Sequence, residues 1–206
     1  MLFRSSFYSN EQTSYTNHYQ EEASDEDIGE ITRKALVEFH NLKDKIEAKG
    51  IQVTSLKGSK ECPDHIFPNW FMTFDNKTMQ IFSMLAPNRR KEKKLSMIEH
   101  LSETYELTAD FSYLENKEIF LESTSSMVFD RVNRIVYAGI SPRTNAVQLI
   151  IWCRNNDFEL EKIDKNSIIL RTSLDNALNT LRKMNLNESG LKHITKQSNL
   201  VRYFNA

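Results

Sequence analysis

The chain has 206 residues, a formal net charge of −1 and 39% hydrophobic residues, which is an ordinary composition for a folded globular domain. The near-neutral charge gives no reason to expect nucleic acid as a partner, and the longest apolar run, residues 146–153, is far shorter than the ~20 residues that span a bilayer. Two cysteines are too few for a disulfide framework, and the first ten residues lack the apolar core of a secretory signal. We therefore expect a cytoplasmic protein with no membrane partner, no metal and no cofactor.

The first 27 residues form a polar arm in which aromatic and amide side chains alternate. By composition alone this arm would be flexible, because it has too few apolar residues to build a core. We treat residues 1–27 as a polar N-terminal arm of the domain that follows.

From Ile28 onward the sequence shows a helical period followed by a strand. Gly50 is a helix stop, and Ile51–Leu56 has the composition of a strand. Apolar residues recur at helical spacing and predict one buried helix face: Ile28, Ile31, Ala35, Leu36, Phe39, Leu42 and Ile46.

The same helix-then-strand order recurs twice further along the chain. A helix is predicted over Arg90–Thr104, with Leu95, Ile98 and Leu101 facing inward, and a strand begins at Tyr105. The next helix is predicted over 143–155, again followed by a strand at 158–160.

Two β-hairpins precede these two helices. The first pairs Phe71–Phe74 with Met79–Met84, and the second pairs Met127–Phe129 with Ile135–Ala138. Corresponding residues lie 53 or 54 apart, so a hairpin–helix–strand unit repeats along the chain. Repeats of this length usually stack or form rings. We predict an α/β fold built from repeated ββαβ units.

One stretch, Glu118–Asn145, carries the clearest chemical signal. Glu122 opens a run of small hydroxyl residues, and Arg143 follows Ser141 and Pro142, a pair that suits a helix start. A carboxylate and an arginine at element ends are what a site for an amino-acid-like ligand requires. The alternative for each residue alone is a solvated glutamate and an arginine at a helix start.

A second charged stretch, Arg89–Lys94, is basic but contains Glu92. We interpret it as the solvated start of a helix rather than a phosphate-binding patch.

These motifs closely resemble one enzyme family. Leu121–Ser126, followed by M-V-F-D-R, Y-A-G and S-P-R-T, resembles the arginine deiminase-related guanidino-group-modifying enzymes of the amidinotransferase (pentein) superfamily, and most nearly the citrulline-hydrolase-like branch. The family form of the first motif is L-E-G-T-G-S, so Ser123 and Ser125 stand where the family has glycine. Cys62–Phe71 resembles P-D-x-x-F-P-N-N-W-F with one asparagine deleted, and residues 7–20 resemble the start of the family.

The resemblance implies a fold. The family packs five ββαβ units around a pseudo-fivefold axis, forming an α/β propeller. Residues 28–163 would form about three such units, making the chain a partial member, and residues 164–206 would be a divergent C-terminal segment. An open propeller exposes strand edges. We therefore expect a homo-oligomer or a missing complementary chain to cover them.

The resemblance also implies a substrate and a set of binding residues. The parent activity is hydrolysis of a C–N bond in arginine, citrulline or a relative. Asp64 and Glu122 would hold the planar nitrogen-bearing group, and Arg90 and Arg143 would lie near the ligand carboxylate or brace the site. We expect Asp64, Glu122 and Arg143 to converge on one pocket. The full set of candidate substrate-binding residues is Asp64, Phe67, Asn69, Glu122, Arg90 and Arg143.

Asn69 lies 53 residues before Glu122, so the repeat predicts equivalent loop positions for the two.

No catalytic residue is assigned. The family's histidine and cysteine lie in Y-H-T-N-V and R-C-M segments, and the chain contains neither motif. We interpret His193 as a surface residue, Cys153 as core, and Cys62 as a packed thiol rather than a substitute nucleophile. Three hypotheses stay open: a C–N hydrolase family member that is inactive alone, a non-catalytic amino-acid-binding or regulatory relative, or an incomplete gene product.

Overall fold

The computed structural model describes residues 2–4, 6–16 and 28–160 of the chain. The predicted C-terminal segment, residues 164–206, and His193 within it lie outside the described residues. The chain divides into two compact units, Met1–Ser112 and Tyr113–Ala206. Each unit carries its own copy of the hairpin–helix–strand pattern.

The first unit begins with a strand, two helices and a second strand. Strand β1 (Leu2–Arg4) is followed by the short helix α1 (Glu11–Ser14), the long helix α2 (Ile28–Glu47) and strand β2 (Ser55–Lys57). The two strands pair in parallel. The arm that composition would leave flexible therefore contains α1, which begins after Asn10 because the Asn10 side chain accepts a hydrogen bond from the backbone of Gln12.

Helix α2 forms where the apolar period predicts it, but its predicted buried face is only partly covered. Phe39 is buried, whereas Ile28 is 56% exposed and Leu42 is 51% exposed. A 20-residue helix is roughly 30 Å long, whereas a three-residue strand spans roughly 10 Å. The two-stranded sheet is therefore too small to cover the whole helix, and the ends of the predicted face stay exposed.

The remainder of the first unit is a three-stranded sheet with helices inserted before its last strand. The elements are β3 (Phe71–Thr73), β4 (Thr78–Ile81), α3 (Pro87–Arg90), α4 (Leu95–Ser102) and β5 (Glu106–Asp110). Strands β3 and β4 are antiparallel, and β4 and β5 are parallel. The helix predicted over Arg90–Thr104 is therefore shorter, because α3 ends at Arg90 and α4 covers only Leu95–Ser102.

The core of this unit lies between the sheet and α4. Met97 and Leu101, four residues apart on α4, are buried, whereas Leu95 is 70% exposed. The prediction that Leu95 faces inward is therefore wrong, because α4 begins at this residue and Met97 takes its place on the inner face. The buried cluster consists of Trp70, Met79, Ile81, Met84, Met97 and Leu101.

The second unit repeats the sheet. Its elements are α5 (Ser123–Ser126), β6 (Met127–Asp130), β7 (Ile135–Ala138), α6 (Ala146–Asn155) and β8 (Glu159–Leu160). The strand order is β6-β7-β8, with an antiparallel and then a parallel pair.

Helix α6 begins later than the sequence predicted. The Asn145 side chain caps it by accepting hydrogen bonds from the backbone N–H groups of Val147 and Gln148. Ser141 and Pro142 therefore do not start this helix; they lie in the turn before it.

Both three-stranded sheets confirm the predicted ββαβ unit, in a mixed α/β fold of small sheets. The repeat is not uniform in length. Strands β3 and β6 begin 56 residues apart, β4 and β7 begin 57 apart, and β5 and β8 begin 53 apart. Asn69 lies two residues ahead of its strand and Glu122 lies five ahead, so their predicted equivalence is wrong. The extra α5 turn between Glu122 and β6 accounts for the difference.

Candidate functional site

The Asp64 carboxylate lies in a single 3-10 turn, Pro63–Ile66, with proline at its start. Two neutral donors from the N-terminal arm hold it. Asn10 Nδ2 donates to Asp64 Oδ2 at 2.7 Å, and Thr13 Oγ1 donates to the same oxygen at 3.1 Å. Both donors are buried, with 2% exposure each. The carboxylate is thus oriented by side chains more than fifty residues earlier in the chain.

A buried arginine holds the backbone of the same turn. Arg89 Nη2 donates to the carbonyl oxygens of Asp64 and Phe67, and Arg89 Nε donates to Glu92 Oε1 at 3.0 Å. The Arg89 and Glu92 side chains are 3% and 0% exposed. The prediction of a solvated basic helix start is therefore wrong for these two residues, because each satisfies the other's charge in the interior.

The other candidates in the first unit have distinct settings. The Phe67 side chain is 53% exposed, and the Asn69 N–H donates to the Phe67 carbonyl at 2.7 Å. Arg90 donates to the carbonyl oxygens of Met84 and Leu85, each at 2.9 Å. These contacts favour a bracing role for Arg90, because its donors are directed at the protein backbone.

Glu122 lies at the position before α5 in the second unit and is 1% exposed. Ser125 Oγ donates to Glu122 Oε2 at 3.0 Å, and Arg143 Nη1 lies 3.9 Å from the same oxygen. The structure therefore brings Glu122 and Arg143 together. An arginine-sized ligand could not lie lengthwise between them, so the geometry favours bracing for Arg143 over contact with a ligand carboxylate.

Ser126 joins the two motifs of this unit. Its hydroxyl donates to the Arg143 carbonyl at 2.8 Å and accepts from the Glu122 N–H at 3.0 Å and from Thr144 Oγ1 at 2.9 Å. One hydroxyl can donate once and accept twice, so these contacts use its full capacity. The backbone of Glu122 is thereby fixed to the S-P-R-T turn.

The run of hydroxyl residues also contains a strained backbone position. Ser123 has a φ of +27° and is buried. This region of backbone space favours glycine, because a Cβ atom clashes with the chain there. Ser123, which occupies the place of the first glycine of the family motif, therefore has a backbone conformation that glycine would adopt without strain.

The two cysteines are both buried and neither is in a disulfide. Cys62 Sγ donates to the Asn88 carbonyl at 3.3 Å, and burial, followed by the charge of Glu92, raises the pKa of the Cys62 thiol. Burial raises the pKa of Cys153 to about 12. These settings disfavour the thiolate that a cysteine nucleophile requires.

His65 is fully buried beside Asp64 in sequence. Its Nδ1 accepts a hydrogen bond from the Ser59 N–H at 3.2 Å, which requires that nitrogen to be unprotonated. Burial, followed by the charges of Lys94 and Arg89, lowers the pKa of His65 to about 4. The imidazole is therefore neutral at pH 7.

In the described part of the chain, no group of three or more histidine, cysteine, aspartate or glutamate residues is arranged to hold a metal ion. Among the helices that the structure describes, none combines the length and apolarity needed to cross a membrane.

Sequence reasoning did not assign the residues that hold Asp64. Asn10 and Thr13 belong to the N-terminal pattern that resembles the family. That resemblance was the one signal that could have identified them as site residues. Arg89 and Glu92 are spaced three apart at a helix end, which suits an ion pair, but charge alone suggested exposure.

Comparison with known protein families finds a family model that covers most of the chain. Residues 4–181, most of the chain, match the family described as N,N dimethylarginine dimethylhydrolase, eukaryotic. No curated protein matches the chain.

Proposed function

We propose a function from the premise that this chain belongs to the N,N-dimethylarginine dimethylhydrolase family. The chain binds a small amino acid that carries a guanidino or ureido group, of the methylarginine, arginine or citrulline type, and does not hydrolyse it by itself. The family accounts for the ligand class. The settings of the cysteines support the proposed lack of turnover.

Asp64 and Glu122 are the proposed contacts to the planar nitrogen-bearing group. A carboxylate can accept two parallel charge-assisted hydrogen bonds from a guanidinium, which makes it the usual partner of this group. The side-chain donors that orient the Asp64 carboxylate are neutral. They therefore do not neutralise its negative charge. It is therefore the stronger candidate of the two, since the charge of Glu122 already faces Arg143.

The proposed lack of turnover rests on the two thiols. Guanidino hydrolysis of this type begins with attack by a cysteine thiolate, and a histidine then protonates the departing nitrogen. Burial raises the pKa of both cysteines of the chain, and the neutral His65 accepts a backbone hydrogen bond. The burial of both thiols is the observation that carries the proposal.

Other parts of the proposal come from the resemblance of the motifs. We propose that the repeated units belong to a partial α/β propeller, that the nearest branch is the citrulline-hydrolase-like one, and that the chain is cytoplasmic. A second copy or a complementary chain would cover the open strand edges.

Calorimetry tests the first half of the proposal, that the chain binds such an amino acid. A turnover assay tests the second half, that the chain alone does not hydrolyse it. Binding of N,N-dimethylarginine, arginine and citrulline is measured by isothermal titration with wild type, Asp64→Asn and Glu122→Gln. We expect wild type to bind at least one of the three and Asp64→Asn to lose at least tenfold in affinity, with a smaller loss for Glu122→Gln. Failure of wild type to bind any of them would refute the binding half.

Release of ammonia or dimethylamine is then followed with wild type, Cys62→Ser and Cys153→Ser. We expect no turnover above background in any of them. Turnover by wild type and Cys153→Ser that is lost in Cys62→Ser would identify Cys62 as a nucleophile and overturn the second half.

A further inference from the structure

The N-terminal arm makes a connected hydrogen-bond network around Asp64. Asn10 Oδ1 accepts from the Gln12 N–H at 3.2 Å and from Asn88 Nδ2 at 2.7 Å. With both donors directed at the oxygen, the amide nitrogen of Asn10 is the atom that faces Asp64, 2.7 Å from Oδ2. The Asn10 side chain thus caps α1 and holds the carboxylate at the same time.

Thr13 completes this arrangement one turn further along α1. Its hydroxyl lies 3.2 Å from the Asn10 carbonyl and 3.1 Å from Asp64 Oδ2. A hydroxyl has a single proton, so a bond to the carboxylate, which is charged and can only accept, is the stronger of the two. Asp64 Oδ2 therefore receives one amide and one hydroxyl donor.

The segment that carries these donors is itself anchored to the first unit. Thr32 Oγ1 on α2 accepts from the Phe7 N–H at 3.3 Å and donates to the Phe7 carbonyl at 3.0 Å. The Tyr8 hydroxyl donates to the Lys60 carbonyl at 3.2 Å. On the other side of the segment, the Asn88 N–H donates to Gln12 Oε1 at 2.9 Å. The donors to Asp64 are thus fixed on a segment with contacts on several sides.

We propose that Asn10 and Thr13 are positioning residues of the ligand site, acting through the Asp64 carboxylate. This inference rests on the proposed function, in which Asp64 contacts the ligand. A side chain held in its bound orientation loses less freedom when the ligand arrives, so these two donors raise affinity without touching the ligand.

Two substitutions at Thr13 separate positioning from packing. Thr13→Val keeps the shape of the side chain and removes the hydroxyl, whereas Thr13→Ser keeps the hydroxyl and removes the methyl group. The dissociation constant for N,N-dimethylarginine and the melting temperature are measured for both variants. We expect Thr13→Val to weaken binding about tenfold, as expected for one hydrogen bond to a charged group, and Thr13→Ser to bind within about twofold of wild type.

The outcomes distinguish the two proposals. Wild-type affinity in Thr13→Val, or equal losses in both variants, would show a packing role and overturn this inference while the proposed function stands. If wild type itself binds none of the three amino acids, the proposed function fails and this inference fails with it. Should Thr13→Val not fold, Asn10→Ser provides the test, because serine is also a good N-cap residue and its shorter side chain removes the amide donor to Asp64 without adding charge. We expect about tenfold weaker binding, and unchanged binding would refute the inference.

Discussion

The Asp64 turn and the Glu122 turn each hold one carboxylate, but with different partners. Asp64 accepts from two neutral side chains that lie 54 and 51 residues away in the sequence. Glu122 accepts from Ser125, three residues on, and faces the guanidinium of Arg143. The first arrangement orients a carboxylate and leaves its charge available, whereas the second also neutralises it. The two carboxylates are therefore not equivalent for binding a planar cation.

The arginines that support the two turns also differ, both in burial and in the groups that they contact. Arg89 is buried, bonds to the backbone of the Asp64 turn and has its charge satisfied by Glu92. Arg143 keeps a side-chain exposure of 17% and acts on the Glu122 carboxylate directly, at 3.9 Å. Support of the first turn is therefore a matter of folding stability, and support of the second is a weaker, local electrostatic contact.

The largest expected effect is the loss of the buried arginine. Arg89→Met removes the cation from a fully buried pair, and we expect a loss of about 3–5 kcal/mol in the free energy of unfolding. Arg143→Met, the matched substitution in the second unit, should cost only about 1–2 kcal/mol because the contact is longer and partly exposed. Urea unfolding measures both.

The chain's two tryptophans make this comparison possible, since Trp70 reports on the first unit and Trp152 on the second. Each variant is made with the other tryptophan replaced by phenylalanine, so that one unit is followed at a time. The double variant Arg89→Met with Glu92→Met removes both charges and should recover part of the loss. A cost for Arg143→Met equal to that for Arg89→Met would contradict the contrast drawn between the two turns.

The second prediction concerns acid. The pKa of His65 is lowered to about 4 in the folded chain, below the unfolded value of 6.5. Between these values the unfolded state binds a proton that the folded state does not, so stability is present above pH 6.5 and falls as the pH drops towards 4. We expect the first unit to lose about 2 kcal/mol between pH 7 and pH 5.

Urea midpoints from Trp70 fluorescence at pH 7, 6 and 5 check this expectation. His65→Gln cannot titrate and should flatten the profile. The described residues of the second unit, 113–160, contain no histidine, so the Trp152 signal should change less over the same range. A profile for His65→Gln that matches wild type would show that other groups cause the acid sensitivity.

Local pattern was sufficient to predict most elements. The strands Phe71–Thr73 and Ile135–Ala138 were predicted because apolar runs bounded by polar turns are a local signal. The start of α6 was missed because Ser141-Pro142 and Asn145 are both plausible helix starts, and only the hydrogen bonds to Asn145 decide between them. The extent of the buried face of α2 was overestimated, because apolar periodicity does not indicate how large a sheet is present to cover the helix.

The candidate site was predictable only in part. Glu122 and its hydroxyl neighbours are contiguous, so their association could be anticipated from sequence. The partners of Asp64 could not be anticipated in this way. Asn10 and Thr13 lie more than fifty residues before Asp64 in the sequence, and no repeating pattern links them to it. Burial of Arg89 was missed for a different reason: arginine is mostly exposed in proteins, and only its ion pair with Glu92 makes the interior position tolerable.

The smallest expected effect tests the left-handed backbone at Ser123, where the family motif has glycine. Ser123 has a φ of +27°, whereas Ser125 lies inside the turn of α5.

Alanine and glycine both remove the hydroxyl, so comparing the two at each position separates the effect of the backbone from the effect of the lost hydrogen bonds. At position 123 glycine should be more stable than alanine by about 1 kcal/mol, because it relieves the left-handed strain. At position 125 the order should reverse, with alanine better by about 0.5–1 kcal/mol, since glycine weakens a helical turn. Unfolding followed through Trp152 in the four single variants measures both differences, and the same order at both positions would contradict the strained backbone at Ser123.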